Sequence, residues 1–265
     1  MLVHWLVDQR ANGVSLLLTH SPLLLFFSLL ASNNLKGSIP SEIQHLRSLD
    51  SLNLRNNSLE GDIPEGLQNL LHLTHLDLSD NRLIGQISPL YWIGEKLTHM
   101  EVLNLSSNHL SLDGPNNSHS RRQPIGGESH LKTLALGGNV PNHDESGDSI
   151  TILAFPEEIR YLTNLKELSL DRSNIGGRIP AWVFHELHEL KFLDLSHNRL
   201  TGSISGEFPS VNGLFSSLQH LESLLLHDNP LTGTLPESVG WMSDLSEFSV
   251  CFKSVVVYVC FHCIE

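Results

Sequence analysis

Leucines return along this chain in a fixed frame that is neither the 3.6-residue spacing of a helix nor a long two-residue alternation. Leu52, Leu54, Asn57 and Leu59 recur 24 residues on as Leu76, Leu78, Asn81 and Leu83. The frame L-x-L-x-x-N-x-L is complete again at Leu103 to Leu110, Leu193 to Leu200 and Leu224 to Leu231. It is partial at Leu30 to Leu35, at Leu134 to Asn139, and at Leu168 to Ile175, where Ser173 takes the Asn place. Phe248 and Val250 open a last copy that decays, giving eight frames and part of a ninth. Each L-x-L predicts a short strand whose leucines point inward while the residues between them point outward. A unit this small cannot bury its own apolar face, so neighbouring units must stack around one continuous core. The stacked strands then form a parallel sheet.

Two further features punctuate the frame. Asn33, Asn57, Asn81, Asn108, Asn139, Asn198 and Asn229 stand where the chain leaves each strand, and a carboxamide there offers donors and an acceptor to backbone groups of the turn. Ser173 serves fewer such groups, which predicts a locally weaker sixth repeat. Gly37-Ser38-Ile39-Pro40, Gly61-Asp62-Ile63-Pro64, Gly177-Arg178-Ile179-Pro180 and Gly233-Thr234-Leu235-Pro236 follow their Asn or Ser at a fixed distance, and Gly85 and Gly202 open the same pattern without the Pro. Glycine predicts a turn closed to other residues, and proline predicts the start of a short helical turn on the outer side. Ile43, Leu46 and Leu49, then Leu67, Leu70 and Leu73, supply the inward face of that segment.

Charge narrows the partners. Lys and Arg total 16 against 29 Asp and Glu, and the formal charge of −13 argues against nucleic acid or an anionic membrane surface. Sixteen histidines add a pH lever, since protonating all of them would move −13 to +3 across the range where an unperturbed imidazole titrates. The three cysteines, Cys251, Cys260 and Cys263, lie at the end, so no disulfide framework runs through the body. Cys260 and Cys263 have C-x-x-C spacing, but no second pair completes a zinc site, and no bound metal or other cofactor is expected. His185-Glu186-Leu187-His188 lacks the i, i+4 histidine spacing of a metalloprotease. No nucleophile elbow, phosphate loop or dinucleotide fingerprint is present, and the chain reads as no enzyme.

The composite L-x-x-L-x-L-x-x-N-x-L-x-G-x-I-P, at Leu49 to Pro64 and Leu73 to Ile87, resembles the plant-specific class of leucine-rich repeats over roughly residues 28–255. The resemblance implies an α/β repeat solenoid with a concave parallel sheet and short helical or irregular convex segments. It also implies a recognition module of plant receptor-like proteins or receptor-like kinases, acting in defence or development at the cell surface. The alternative it leaves open is a soluble inhibitor of a cell-wall-degrading enzyme. Partners so implied are a protein or peptide ligand and a co-receptor ectodomain. The paired-cysteine caps, membrane span and kinase domain of full receptors are missing from the pattern, so the chain looks like a piece of a receptor. Residues 1–27 read either as a signal or signal-anchor or, toward Leu30, as a buried end of the solenoid, and residues 256–265 as a non-repeat tail.

The outward positions of the concave sheet are expected to be free of packing duties and so to carry recognition. Candidate contacts are His75, Asp77, Glu167, Asp171, Arg172, Asp194, His197, His227 and Asp228. Two polar insertions, residues 111–130 with Arg121 and Arg122, and 140–154 with Asp144, Glu145 and Asp148, are expected to project from one edge. N-x-S sequons at Asn56, Asn104 and Asn116 are glycosylation candidates if the chain is secreted, and a glycan on Asn104 would close part of the sheet face.

Overall fold

A leucine at every second position, followed by a residue that must turn, forces short parallel strands, and the computed structural model of the protein shows them. The structure describes residues 30–87, 92–93, 96–112, 129–139, 152–204, 218–234, 239–240, 242–252 and 255–260. Asn116, Cys263, residues 1–27 and nearly all of both polar insertions lie outside the described residues. Two units divide the chain, Met1–Leu131 with Asn139–Asn142, and Lys132–Gly138 with His143–Glu265.

The first unit contains β1 (Lys36–Gly37), β2 (Ser51–Asn53), β3 (Ser58–Asp62), β4 (His75–Asp77), β5 (Arg82–Ile84) and β6 (Val102–Asn104). β2, β4 and β6 pair in parallel with Leu52, Leu76 and Leu103 in register, and all three leucines are buried. Each such leucine contributes about 1.5–3 kcal/mol over an exposed one. The segment after the Asn position adds pairing that the sequence did not display. β1, β3 and β5 form a second parallel sheet of three strands, because Leu35, Leu59 and Leu83 stack at 0% exposure and bring their backbones into register.

The second unit contains β7 (Thr133–Ala135), β8 (Glu167–Ser169), β9 (Gly176–Arg178), β10 (Phe192–Asp194), β11 (Arg199–Thr201), β12 (Ser223–Leu225), β13 (Glu247–Phe252) and β14 (Val255–Cys260). β7, β8, β10, β12 and β13 run parallel in that order, aligning Leu134, Leu168, Leu193, Leu224 and Phe248. β9 and β11 pair separately, and β14 runs antiparallel to β13, so residues outside any repeat still form a strand. Phe155 meets Trp182 edge to face at 5.4 Å beneath the outer segments.

The outer segments are short. Ser41–His45, Glu65–Asn69 and Glu157–Tyr161 are 3-10 helices, and α1 (Trp182–His185) is a single α-turn. Proline stands at the start of such turns, as expected. Pro40, Pro64 and Pro156 are cap residues in extended conformation, each using its carbonyl to accept the N–H of the third residue on, Ile43, Leu67 and Ile159. Leu46 is only half-buried, whereas Leu67, Leu70 and Leu73 are fully buried. Among the described residues no helix is long and apolar enough to cross a membrane.

The Asn positions tie adjacent repeats together rather than serving one turn. Asn81 Nδ2 donates to Leu78 O and Ser79 O in its own repeat and to Leu54 O in the preceding one. Its Oδ1 accepts the N–H of Leu59, again from the preceding repeat, at 3.0 Å. Asn57, Asn108 and Asn229 repeat this pattern, and Asn139 makes both links to the preceding repeat, from Nδ2 to Leu105 O and from Leu110 N to Oδ1. Asn33 donates to Ala31 O. Just before this position the backbone turns left-handed: Ser32, Asn56, Asp80, Ser107, Arg172, His197 and Asp228 all have φ between 48° and 55°. Gly138 fills the same place at φ 71°.

Candidate ligand-binding face

Parallel register sorts the outward side chains of each sheet into columns. In the first unit Ser51, His75 and Val102 form one column, and Asn53, Asp77 and Asn104 the next. In the second unit the first column is Thr133, Glu167, Phe192, Ser223 and Glu247, and the second is Ala135, Ser169, Asp194, Leu225 and Ser249.

The expectation that these positions carry no structural duty needs correcting. The Asp77 Oδ1 accepts the Ser79 N–H at 3.0 Å and its hydroxyl at 2.6 Å, and the Asp194 Oδ1 accepts the Ser196 N–H at 2.9 Å. Asn53 and Asn104 do the same for Arg55 and Ser106. The reason is local: a short side-chain acceptor in the strand is within reach of the N–H two residues on, just where the chain leaves the sheet. Asp77 and Asp194 therefore offer a ligand one oxygen, not two. A glycan on Asn104 would be joined to a side chain whose oxygen already holds Ser106.

Asp171 is also committed. Its side chain is only 19% exposed, accepts the Ser169 hydroxyl through Oδ1 and the Arg172 guanidinium through Oδ2. A Cβ built on Gly137 would overlap Asp171 Oδ1, so Asp171 fits only because the neighbouring repeat has glycine there. Arg172, His197 and Asp228 are not strand residues; they lie in the left-handed exit turn. Glu167 is exposed and accepts the Thr133 hydroxyl at 3.0 Å, and His75 is exposed beside Thr74. Asn56 is exposed in its exit turn.

Exit turns of β10 and β12 bring three of the candidates together. The His197 Nδ1 lies 3.0 Å from Asp228 Oδ2, and the His197 and His227 rings meet edge to face at 5.0 Å. His227 is half-buried, and its Nδ1 is enclosed without a hydrogen-bond partner. The sequence reading missed this grouping because it ranked the residues one by one. Phe192, Ser223, Leu225 and Glu247 were missed for another reason: they occupy outward frame positions but do not look like recognition residues individually. Aligning each repeat on its L-x-L strand finds all of them.

On the outer side, Glu186 of the His185-Glu186-Leu187-His188 segment is gripped by Arg160, Nη2 to Oε1 at 2.7 Å. That hydrogen bond raises the Arg160 pKa above its ordinary value against the opposing effect of desolvation, and the attraction between the two charges adds to the rise. The Glu186 carboxylate is thus a structural partner.

Comparison with known proteins agrees with this architecture. A family model described as "Leucine Rich repeats (2 copies)" matches residues 47–92, "Leucine Rich Repeat" matches 189–211 and 220–242, and "Leucine Rich repeat" matches 96–114. Receptor-like protein 18 of Arabidopsis thaliana is 32% identical over 234 residues, 80% of this chain and 27% of that protein. Receptor-like protein 52 of the same plant is 41% identical over 93 residues, 35% of this chain and 11% of that protein. The chain thus spans less than a third of either relative. The crystal structure of the Arabidopsis receptor kinase HAESA, with the peptide hormone IDA and the co-receptor SERK1, is similar over 83% of this chain and 33% of that one, with a TM-score of 0.61 and 27% identity. The chain carries leucine-rich repeats, and it resembles the ectodomains of plant receptor-like proteins and receptor kinases.

Proposed function

We propose that the chain is a non-catalytic recognition module of a plant cell-surface receptor, and that the solvent face of its sheet binds a protein or peptide ligand. One observation supports this most: the fold is similar to that of a plant receptor kinase solved with a peptide hormone and a co-receptor. The exposed columns fit the role, because they mix charge at Glu167 and Glu247 with half-buried apolar groups at Phe192 and Leu225. Binding sites combine apolar contact with a few placed polar groups in this way. Receptor names on both curated relatives favour this reading over an inhibitor of wall-degrading enzymes. By the same reasoning the chain works outside the cell or at its surface, and signalling in defence or development is the process it would serve.

The test is biolayer interferometry of the immobilised chain against a panel of synthetic secreted plant peptides. Glu167→Lys combined with Arg172→Glu alters two exposed side chains while leaving the Asn ties in place. At least one peptide should bind the native chain and lose affinity for the double variant, with the far-ultraviolet circular dichroism unchanged. A panel without a binder, or a peptide held equally by both chains, would remove this face as the recognition surface.

A further inference from the structure

We propose that His197, His227 and Asp228 form a binding site for one divalent transition-metal ion of the zinc class, a role that does not depend on the recognition function above. His197 leaves β10 and the other two leave β12, and these strands pair in parallel with Phe192 opposite Ser223 and Asp194 opposite Leu225. Equivalent turns of adjacent repeats are thereby superposed. One ligand atom from each residue lies within 4.8 Å of the other two.

The backbone beneath the trio is fixed. The His197 N–H donates to His227 O at 3.0 Å, and Asn229 Nδ2 donates to that same carbonyl at 3.3 Å. His197 and Asp228 hold φ of 53° and 54°, both in the left-handed turn. Only side-chain torsions are left to adjust, and the His197 and Asp228 side chains are 35% and 57% exposed, which gives them room. Zinc takes imidazole nitrogen and carboxylate oxygen at about 2.0–2.2 Å, so ligand atoms around a tetrahedral ion stand about 3.4 Å apart. His197 Nδ1 and Asp228 Oδ2 are already at 3.0 Å. The widest separation in the trio, at most 4.8 Å, closes by roughly 1.4 Å or less on that geometry.

An independent observation points to a missing partner. His227 Nδ1 has no solvent contact and no hydrogen bond, which is uncommon for a buried polar atom. A metal ion supplies the partner this nitrogen lacks. Two imidazoles and one carboxylate select zinc, copper or nickel over magnesium and calcium, and three protein ligands leave a fourth position open to water or to a group from another molecule. Without a metal, His197 and Asp228 make an ordinary hydrogen bond and His227 packs beside them.

Isothermal titration of the full chain, free of any added histidine tag and stripped with chelator, against zinc chloride separates these cases. The native chain should bind one equivalent at a site distinct from weak surface uptake. His197→Gln and His227→Gln should each weaken it by about tenfold or more, as even outer-shell changes do at zinc sites. Asp228→Asn, which preserves shape, guards against misfolding and should also weaken it, while His188→Gln on the outer side should leave it unchanged. Magnesium chloride should not compete. A native chain that takes up no zinc, an isotherm unaltered by the His197 and His227 changes, or displacement by magnesium would overturn the assignment.

Discussion

The repeat built on Asn198 and the repeat built on Ser173 share a frame and a buried strand, yet they are joined to their neighbours differently. Asn198 donates to Leu195 O and Ser196 O in its own turn and to Leu170 O one repeat back, while its Oδ1 accepts the N–H groups of Ser173 and Ile175. Ser173 has a single hydroxyl proton to donate, and its Oγ lies 3.0 Å from Asp171 O and 3.4 Å from Leu136 O. The difference shows what the Asn is for. A hydroxyl can partly replace the donor half of the tie, but a short side chain cannot replace the acceptor that reaches back. One feature softens the loss at Ser173: Asn198 takes the N–H of Ser173 itself.

The largest test of this comparison is Asn198→Ala. Three carbonyls and two N–H groups lose a partner together in a buried setting, so the chain should be destabilised by roughly 3 kcal/mol. Urea denaturation would measure the total, and hydrogen exchange should show the Ser173 and Ile175 amides opening first. If those two amides keep their protection, the acceptor half of the tie is not what holds the sixth repeat. Next in size are the left-handed exit turns. Gly138→Ala, at φ 71°, should cost about 1 kcal/mol or more, whereas Arg172→Gly, at φ 48°, should raise stability by about 0.5–1 kcal/mol by relieving a side chain from a conformation it disfavours. The surface ion pair from Arg172 to Asp171 is too exposed on the arginine side to reverse that sign. Equal denaturation midpoints for Arg172→Gly and the native chain would show that the turn carries no strain. The smallest effect is expected for Ser173→Asn, within about 0.5 kcal/mol of neutral, because the Ser173 hydroxyl already donates to Asp171 O and Leu136 O. A large gain there would mean that the sixth repeat is weak for the reason the sequence first suggested.

The strands, their register and the identity of the inward leucines were legible in the sequence because a two-residue alternation fixes which side of a strand is buried. The glycines of the G-x-I-P pattern were legible too: Gly37, Gly61, Gly85, Gly177, Gly202 and Gly233 all have positive φ. Three things were not. The second sheet was hidden because Ser58–Asp62 and Arg82–Ile84 carry one buried leucine each, too few to show a period. The reach of the Asn side chains to the preceding repeat is a matter of stacking distance, which a single repeat does not display. The double use of Asp77 and Asp194, as strand-face residues and as caps for the next turn, was obscured because a carboxylate on an outward position reads simply as solvated. Only when the exit turn is seen does one of its oxygens prove to be occupied. The same applies to His197, His227 and Asp228, whose separation of 30 and 31 positions becomes contact only through the pairing of β10 with β12.

The strand formed by Val255–Cys260 pairs with β13 along its whole length, from Glu247 opposite Cys260 to Phe252 opposite Val255, in the antiparallel sense. A stack of repeats is in polymer terms a growing end, because its last strand presents unpaired N–H and C=O groups at the spacing that another parallel strand would accept. Antiparallel pairing spaces its hydrogen bonds in alternating close and wide pairs instead of the even slant of a parallel ladder. β14 therefore covers the edge of β13 on which a parallel repeat from a second molecule would otherwise have been templated.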